Sequence, residues 1–431
     1  MRLPVVRASF IVIALTTMLI GCASPPVGIR PSGGGDAVRI GLSEGASRVE
    51  LAGPEDLRMT VGASTLVGRT FTLTLSGDEI RVTGSGNDAR GRKVLVSSNA
   101  PIRVGSKRYR GSIEVFPRAG GLTVVNVIAI EDYLCGVVPP EIGYLPVRDI
   151  EAMKAQALAA RTYVMAHYGR RIANGFDIYA DTRDQVYGGV DAESDVGNRA
   201  VAETRNRVIT YEGRLIEAYY HSTCGGSTVN IADVWDSPPV PYLTRVYDAD
   251  DAGFHCAESP HFRWVEVYSG QKARELISAN LRNGVPDAPR SIGRLRDVAV
   301  ETQTLSGRTA STRIVTENDA FSVRKDKIRL VLRRPDGANP PLRSSYLRIF
   351  SDRTSEGFVS RVVVSGAGNG HGIGMCQWGA IGMARKGYTA EQIVQHYYRG
   401  TQVTTYEPAL AGGRGSAGGS VAHRDATGGE R

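Results

Sequence analysis

One carboxylate in this 431-residue chain stands where acid–base chemistry is possible. Glu141 directly follows Pro139-Pro140, and because proline opposes helix formation this pair predicts an extended turn. A helix is expected just downstream, with Lys154 and Arg161 on the same face. A carboxylate on a rigid corner beside a cationic helix is a reasonable arrangement for a general acid or base. The alternative is an ordinary solvated loop glutamate.

Two cysteines with histidines nearby form a second candidate site. Cys224 follows His221 closely, and Cys256 stands next to His255. Two sulfurs and two nitrogens suit tetrahedral zinc, although this spacing matches no zinc-finger pattern. A Cys224–Cys256 disulfide is expected instead if the protein reaches an oxidising compartment, and two free thiols are the remaining alternative.

A glycine-rich loop near the C-terminal end carries polar and aromatic side chains. Residues 366–380 contain six glycines, interleaved with His371, Gln377 and Trp378. The spacing fits neither a dinucleotide-binding fingerprint nor a P-loop. A loop that lines a groove and contacts a polar polymer is the better interpretation, with His371 as a contact rather than a catalytic base. Cys376 in this loop is interpreted as a small buried residue.

The elements that must position these residues follow from local patterns. Asp149 can cap the helix after the corner, strong helix formers fill its interior, and Gly169 can end it. Its alanines at 152, 155 and 159 share one face, where another element can approach closely. Further helices are predicted over 195–206 and 271–282. Another helix is predicted to follow the glycine-rich loop and end near residue 383, and the next is predicted to begin at residue 389.

The whole chain is predicted to have an α+β fold. A linker at 23–37 leads into a β-rich N-terminal unit at 38–107. A mixed α/β domain at 108–405 follows, with the helix after the corner and a β-rich insertion at about 260–360. Residues 406–431 have the composition of a disordered tail.

The N-terminus has the features of a bacterial lipoprotein signal. Arg2 and Arg7 precede an apolar run over Phe10 to Ile20, which is short for a membrane span, and Cys22 follows. Residues 1–22 are therefore predicted to be a signal that leaves Cys22 lipidated, with an ordinary signal peptide or a short anchor as alternatives. This prediction makes the mature protein an exported lipoprotein at a membrane surface.

The net charge of +8 favours an anionic neighbour without choosing among nucleic acid, lipid and wall polymer. The export signal argues against nucleic acid as a partner.

Four motifs, in this order, resemble the SpoIID/LytB family, which is named from stage II sporulation protein D and an amidase enhancer. The resemblance extends from about Arg108 to Val403, roughly two-thirds of the chain. The motifs are YLCGVVPPEIGYLPVRDIEAMKAQALAARTYVM, TRDQVYGG, YYHSTCGG and GNGHGIGMCQWGA.

The resemblance implies an exported lytic transglycosylase that acts on peptidoglycan, especially on glycan strands without stem peptides. The family's catalytic glutamate falls on Glu141. The residues expected to bind substrate are Arg161, Lys154, Gln185, Tyr187, His221, Ser222, His371 and Gln377. Some family members carry a structural metal at the His-Ser-Thr loop, which keeps a zinc site at His221, Cys224 and Cys256 open.

In such an enzyme one carboxyl group protonates the leaving oxygen, and the sugar's own 6-hydroxyl closes a 1,6-anhydro ring. Glu141 must then be protonated at rest, so its surroundings should raise its pKa. Arg161 beside it would oppose this, and we therefore expect Arg161 to face the substrate's lactyl carboxylate or structural carbonyls. The alternative function is a non-catalytic glycan-binding protein that activates a cell-wall amidase.

Overall fold

The computed structural model describes residues 37–84 and 86–406. The predicted signal at 1–22 with Cys22, the linker up to residue 36 and the tail from residue 407 lie outside these residues. Within them, helices and strands combine in mixed sheets, which confirms the predicted α+β class. No helix of the described part is long and apolar enough to cross a membrane.

A large sheet forms the N-terminal side of the molecule. Its strands are β1 (Ala37–Ala46), β2 (Arg48–Val61), β3 (Ser64–Ser76), β4 (Glu79–Gly84), β5 (Asn87–Gly91), β6 (Val94–Ser97), β7 (Ile102–Val104), β8 (Lys107–Tyr109), β9 (Ser112–Arg118), β10 (Gly121–Ala129) and β11 (Ile178–Tyr179).

This sheet crosses the predicted boundary at residue 108. β1 pairs antiparallel with β10, with Val38 opposite Ile128, and β6 pairs with β9, with Val94 opposite Val115. The buried side chains of these strands belong to the same hydrophobic core as the helices that follow. The N-terminal β-rich region is therefore continuous with the domain after it, because the strands on both sides of residue 108 complete one sheet.

The helices pack around one long central helix, α3. They are α1 (Ile130–Cys135), α2 (Val138–Ile142), α3 (Ile150–Ala166), α4 (Asp195–Glu203), α5 (Ile231–Val234), α6 (Gly270–Asn280), α7 (Ile328–Val331), α8 (Gln377–Arg385) and α9 (Ala390–Tyr397). The helices predicted over 195–206 and 271–282 and from 389 are confirmed to within a few residues. α3 is buried on almost every side against α4, α8, α9 and β12, as its alanine-rich surface allows.

Short strands bring distant parts of the chain together beside α3. They are β12 (Arg207–Tyr211), β13 (Arg214–Leu215), β14 (Tyr220–His221), β15 (Ala249–Asp250), β16 (Gly253–Phe254), β23 (Met375–Cys376) and β24 (Gln402–Thr405). β14 and β23 pair in parallel, with Tyr220 opposite Met375 and His221 opposite Cys376. This pairing joins the YYHSTCGG motif to the glycine-rich loop.

A second hydrophobic core lies between residues 264 and 364. It is enclosed by two three-stranded sheets with α6 and α7, and the glycine-rich loop follows its last strand. The strands are β17 (Trp264–Ser269), β18 (Leu295–Gln303), β19 (Thr309–Thr316), β20 (Ala320–Arg324), β21 (Leu347–Arg353) and β22 (Val359–Gly366).

The corner at Pro139-Pro140 differs from its prediction. Both prolines lie in the first turn of α2, so the segment is helical rather than extended. Proline is tolerated there because the first-turn N–H groups have no intrahelical acceptor. Asp149 does stand at the N-cap of α3, but its side chain makes no capping hydrogen bond and instead pairs with Arg385, 2.8 Å away, on α8.

Candidate functional site

Glu141 lies at the end of α2, where three other segments converge on its carboxyl group. Its backbone N–H bonds to the carbonyl of Val137, which completes the short helix. Its Oε1 accepts a hydrogen bond of 2.5 Å from the backbone N–H of Val186. The side chains of Tyr220, from β14, and Gln377, the first residue of α8, are polar neighbours that favour the charged form of the carboxyl group.

This environment raises the pKa of Glu141 to about 7. Burial is the main cause, because it removes water from the charged form, and the hydrogen bonds from Val186, Tyr220 and Gln377 oppose it only in part. The residue keeps part of its surface open to solvent, although protein atoms surround its carboxyl group densely. Among the described residues, no basic side chain is among the groups that shift this pKa.

Hydrogen bonds with two further residues, Gln185 and Gln156, orient the side chains of Tyr220 and Gln377 beside the Glu141 carboxyl group. Gln185 donates from Nε2 to the Tyr220 hydroxyl, 3.0 Å away, and accepts from the hydroxyl of Tyr133, also at 3.0 Å. Gln377 donates to Oε1 of the buried Gln156 on α3, at 3.4 Å. These contacts orient Tyr220 and Gln377 in the absence of substrate.

The predicted site residues separate into groups in the structure. Gln377 is one of the groups that favour the charged form of Glu141, and Gln185 hydrogen-bonds to Tyr220, which is another. Tyr187 is only 2% exposed, and its hydroxyl donates to Asn126 at 2.9 Å, so it is a packed core residue rather than a substrate contact.

Arg161 is anchored away from Glu141. It is 1% exposed, its Nε and Nη2 bind the two carboxylate oxygens of Glu131 at 2.7 and 2.8 Å, and Nη1 donates to the carbonyl of Arg207. These contacts agree with the second of the two expectations for Arg161, that it faces structural carbonyls. Lys154 is also occupied, by Glu151 at 2.7 Å and Glu203 at 2.5 Å.

The two predicted histidines lie behind Tyr220, with their ring centres 5.5 Å apart. Nδ1 of His221 lies 3.1 Å from the carbonyl of Ile373, and Nδ1 of His371 accepts from the N–H of the same residue. Burial lowers both pKa values, that of His371 to about 4, so both rings are neutral near neutral pH. They brace the glycine-rich loop against β14, and Ser222 adds to this contact by accepting the N–H of Trp378.

Sequence reasoning did not identify Tyr220, Val186 or Gln156 as part of this site. Tyr220 and Val186 lie within the motifs YYHSTCGG and TRDQVYGG, next to His221 and Gln185. No periodicity or charge marks them, because their role depends on the tertiary pairing of β14 with β23 and on the fold of the loop after residue 181.

The cysteines occupy a separate buried cluster. The Sγ atoms of Cys224, Cys256 and Cys376 and a carboxylate oxygen of Asp248 all lie within 4.8 Å of one another. The cysteines of the described residues are free, and Cys224 and Cys256 are 3.5 Å apart between sulfurs rather than joined in the expected disulfide.

The predicted zinc set of His221, Cys224 and Cys256 is therefore wrong in its first member, and Cys376 is more than a small buried residue. His221 is turned towards Ile373. His255 lies beside Lys386, with 3.3 Å between Nδ1 and Nζ, and is not one of the clustered groups. The cluster is a donor set that could hold a metal ion.

A cavity of about 150 Å³ lies away from Glu141, between β2, β3 and β4 of the large sheet. Leu51, Phe71 and Arg103 are among its lining residues, and Glu141 is not. This cavity is therefore separate from the candidate site at Glu141.

Two family models match the chain. The model of the SpoIID family, stage II sporulation protein, matches residues 118–211, which contain Glu141, Gln185 and α3. A domain of unknown function, DUF8618, matches residues 249–374, which include the second hydrophobic core.

Three relatives span most of this chain. An uncharacterized protein of Brachyspira hyodysenteriae is 31% identical over 300 residues, which are 69% of this chain and 73% of that protein. The amidase enhancer of Bacillus subtilis is 30% identical over 382 residues, 79% of this chain but only 50% of the enhancer. Stage II sporulation protein D of Bacillus subtilis is 27% identical over 345 residues, 76% of this chain and 89% of that protein. Together with the four ordered motifs, these similarities establish that the chain belongs to the SpoIID/LytB family.

Proposed function

We propose that this protein is a peptidoglycan lytic transglycosylase that cleaves the β-1,4 bond between N-acetylmuramic acid and N-acetylglucosamine, with Glu141 as general acid and base. The observation that carries the proposal is a glutamate whose pKa is raised to about 7 while hydrogen bonds hold it in place. The names of the stage II sporulation and amidase enhancer relatives support a role at the cell wall.

The chemistry needs one carboxyl group in two protonation states. Protonated Glu141 gives its proton to the leaving oxygen of the glycosidic bond, and the resulting carboxylate accepts the proton of the muramic acid 6-hydroxyl as the anhydro ring closes. A pKa near 7 suits both steps, since neither form is strongly disfavoured near neutral pH. The N–H of Val186 holds one carboxyl oxygen throughout.

A glycosidase that uses water or an enzyme nucleophile usually needs a second carboxylate near the first. Among the described residues, no second carboxylate is among the groups that act on the pKa of Glu141. A reaction in which the substrate supplies its own nucleophile agrees with this arrangement.

The surroundings of Glu141 suit a polymer. The residue is partly exposed and Ser222 and Trp378 nearby are half-buried, so a glycan strand can approach along the surface. The net charge of +8 favours the approach of an anionic wall polymer. We propose further that lipidated Cys22 holds the exported protein at a membrane, within reach of the wall.

The test is product analysis on purified glycan strands without stem peptides. The protein should release fragments ending in 1,6-anhydro-muramic acid, identified by mass spectrometry. Glu141→Gln should bind the glycan equally well and lose at least about 100-fold in rate, the usual contribution of a general acid. Glu203→Gln, at a partly exposed glutamate on α4, is the matched control and should keep its rate.

A second candidate function is favoured by the 30% identity to an amidase enhancer. In that role the protein binds glycan without cleaving it and stimulates a cell-wall amidase. Binding without anhydro products, together with faster amidase digestion of intact sacculi by both the wild type and Glu141→Gln, would replace the transglycosylase proposal.

A further inference from the structure

Four potential metal ligands meet in the interior of the protein on the far side of the β14–β23 pair. Cys224, Asp248, Cys256 and Cys376 are each 0% exposed, and they come from four separate segments of the chain. Their ligand atoms all lie within 4.8 Å of one another. Buried side chains of this kind need a partner, because a buried charge or unpaired polar group is costly.

The spacing of the ligand atoms is that of a tetrahedral site. With bonds of about 2.3 Å, a tetrahedral zinc ion holds its sulfur ligands about 3.8 Å apart. The sulfurs of Cys224 and Cys256 are 3.5 Å apart, and Cys224 Sγ lies 3.0 Å from Oδ2 of Asp248. An ion among these four atoms would require Cys224 Sγ to move away from Cys256 Sγ and Asp248 Oδ2 by only about 0.5 Å or less.

The groups around the four ligands are arranged as a second coordination shell. The hydroxyl of Tyr397 donates to Oδ1 of Asp248 at 2.6 Å, which leaves Oδ2 directed at the sulfurs. An added Cβ at Gly379 would come within 2.0 Å of the Tyr397 hydroxyl, so this position favours glycine. Such outer contacts orient metal ligands and tune their affinity.

The sulfurs also accept backbone hydrogen bonds. Cys376 Sγ accepts from the N–H groups of Cys224 and Gly379 at 3.2 and 3.3 Å, and Cys224 Sγ accepts from Gly226 at 3.3 Å. Such donors stabilise sulfur ligands that carry negative charge when they bind an ion. Three thiolates and a carboxylate exceed the charge of a divalent ion, and the N–H groups and the Tyr397 hydroxyl offset part of that excess.

We propose that Cys224, Asp248, Cys256 and Cys376 bind one structural Zn²⁺ ion, with the three thiols releasing their protons to solvent on binding. All four positions of a tetrahedral ion are taken by protein and the site is closed to water, which distinguishes it from a catalytic zinc site. The proposal concerns folding and does not depend on the cleavage reaction.

The ion would fix the two strands that carry the groups around Glu141. Cys376 ends β23 and precedes Gln377, while Cys224 follows β14, which carries Tyr220. Residues 222 and 378 are joined as well, through the hydrogen bond from the Trp378 N–H to the Ser222 carbonyl. Zinc would thus connect the YYHSTCGG motif to the glycine-rich loop through metal–sulfur bonds, in addition to the two-residue strand pair.

The test is metal content and thiol state of the full-length chain, purified without chelator or reductant. We expect one zinc per chain by elemental analysis, and all three clustered cysteines alkylated on denaturation without prior reduction. Replacing zinc with Co²⁺ should give the visible and near-ultraviolet absorption of tetrahedral cobalt bound to thiolates. A chelator should lower the unfolding temperature.

Cys376→Ser is the decisive variant because a Cys224–Cys256 disulfide would not involve Cys376. We expect it to lose the ion or to bind it at least about 10-fold more weakly. Cys135→Ser is the control, since Cys135 is only half-buried and its sulfur contacts the Glu131 carbonyl instead. If Cys376→Ser fails to fold, the cobalt spectrum and the alkylation of the unaltered chain decide alone.

A Cys224–Cys256 disulfide in metal-free protein would overturn the proposal. So would three reduced thiols that bind neither Zn²⁺ nor Co²⁺ when the ion is added, or equal loss of zinc from the Cys135 and Cys376 variants.

Discussion

Two glutamates on neighbouring short helices, Glu131 on α1 and Glu141 on α2, have opposite surroundings. Glu131 is held by the guanidinium of Arg161, with both of its carboxylate oxygens occupied at 2.7 and 2.8 Å. Glu141 is held by a backbone N–H, a phenol and an amide, and burial raises its pKa to about 7. Arg161 would suppress acid chemistry if it lay beside Glu141, but it pairs with Glu131 instead. A glutamate therefore has a structural role at position 131, while the glutamate at position 141 is suited to proton transfer.

The contacts of Arg161 show that the surroundings of Glu131 have a structural role. Besides Glu131 it bonds to Thr204 and to the carbonyls of Val201 and Arg207, so it joins α3 to α1, α4 and β12. The side chain is buried and the side chain of Glu131 is 17% exposed. A guanidinium with this many fixed acceptors has no donor direction left for a sugar carboxylate.

The largest effect on stability is expected from Arg161→Met. The substitution leaves Glu131 as a largely buried charge without a partner and removes donors from two carbonyls, which should cost about 3–5 kcal/mol of unfolding free energy. Denaturant unfolding measures the change. The folded fraction should keep the same dependence of rate on pH, because Arg161 does not act on Glu141.

Lys154→Met on the same helix is the matched control. Its partners, Glu151 and Glu203, are about one-third exposed, so the loss should stay below about 1 kcal/mol. Arg161→Met could instead leave stability unchanged and raise KM for glycans that carry the lactyl carboxylate. That result would mean that Arg161 binds substrate, and the contrast between Glu131 and Glu141 would be wrong.

A smaller effect should follow from the titration of Glu141. Its pKa is about 7 in the folded protein against an ordinary value of 4.5, so the folded state binds the proton more tightly than the unfolded state. Stability must then fall as pH rises between these two values, with the whole penalty present above pH 7 and absent below 4.5. Full burial would make the penalty about 3 kcal/mol, and partial exposure reduces it to about 2 kcal/mol.

Urea unfolding of the wild type and Glu141→Gln at about pH 5 and about pH 8 measures this penalty. The wild type should lose most of this penalty, about 1.5 kcal/mol, relative to the variant on going to the higher pH. A difference between the two proteins that does not change with pH would mean that Glu141 titrates like an exposed carboxylate, and the two glutamates would then be chemically alike.

The sequence predicts those parts of the fold and of the candidate site that are determined by residues close together in the chain. The helix after Glu141 and the start of the last helix near Thr389 are encoded by neighbouring residues, and the structure places both as expected. Pro139-Pro140 is helical rather than extended as its sequence predicts, because the helix-breaking effect of proline does not apply in a first turn.

Long-range contacts were not predictable in the same way. Tyr220 and Cys376 acquire their surroundings from a parallel pair only two residues long, between segments about 150 positions apart, and such a pair leaves no periodic pattern. Asp248 has no feature in the sequence that separates it from any other aspartate, because its role depends on three cysteines brought together by the fold. The continuity of the large sheet across residue 108 is equally non-local, since β1 pairs with β10.

The smallest effect, and the most specific to Glu141, is expected from Tyr220→Phe. The phenol lowers the pKa of Glu141 by hydrogen bonding to its charged form, so its removal should move the decline in rate to higher pH by less than about one unit. Tyr133→Phe is the control, because that hydroxyl contacts Gln185 rather than Glu141 and both variants disturb the same buried glutamine. The pH dependence of kcat/KM for the three proteins separates the cases. If both variants moved the decline equally, the effect would come from the glutamine network, and direct contact with Tyr220 would not be what holds Glu141 in its reactive state.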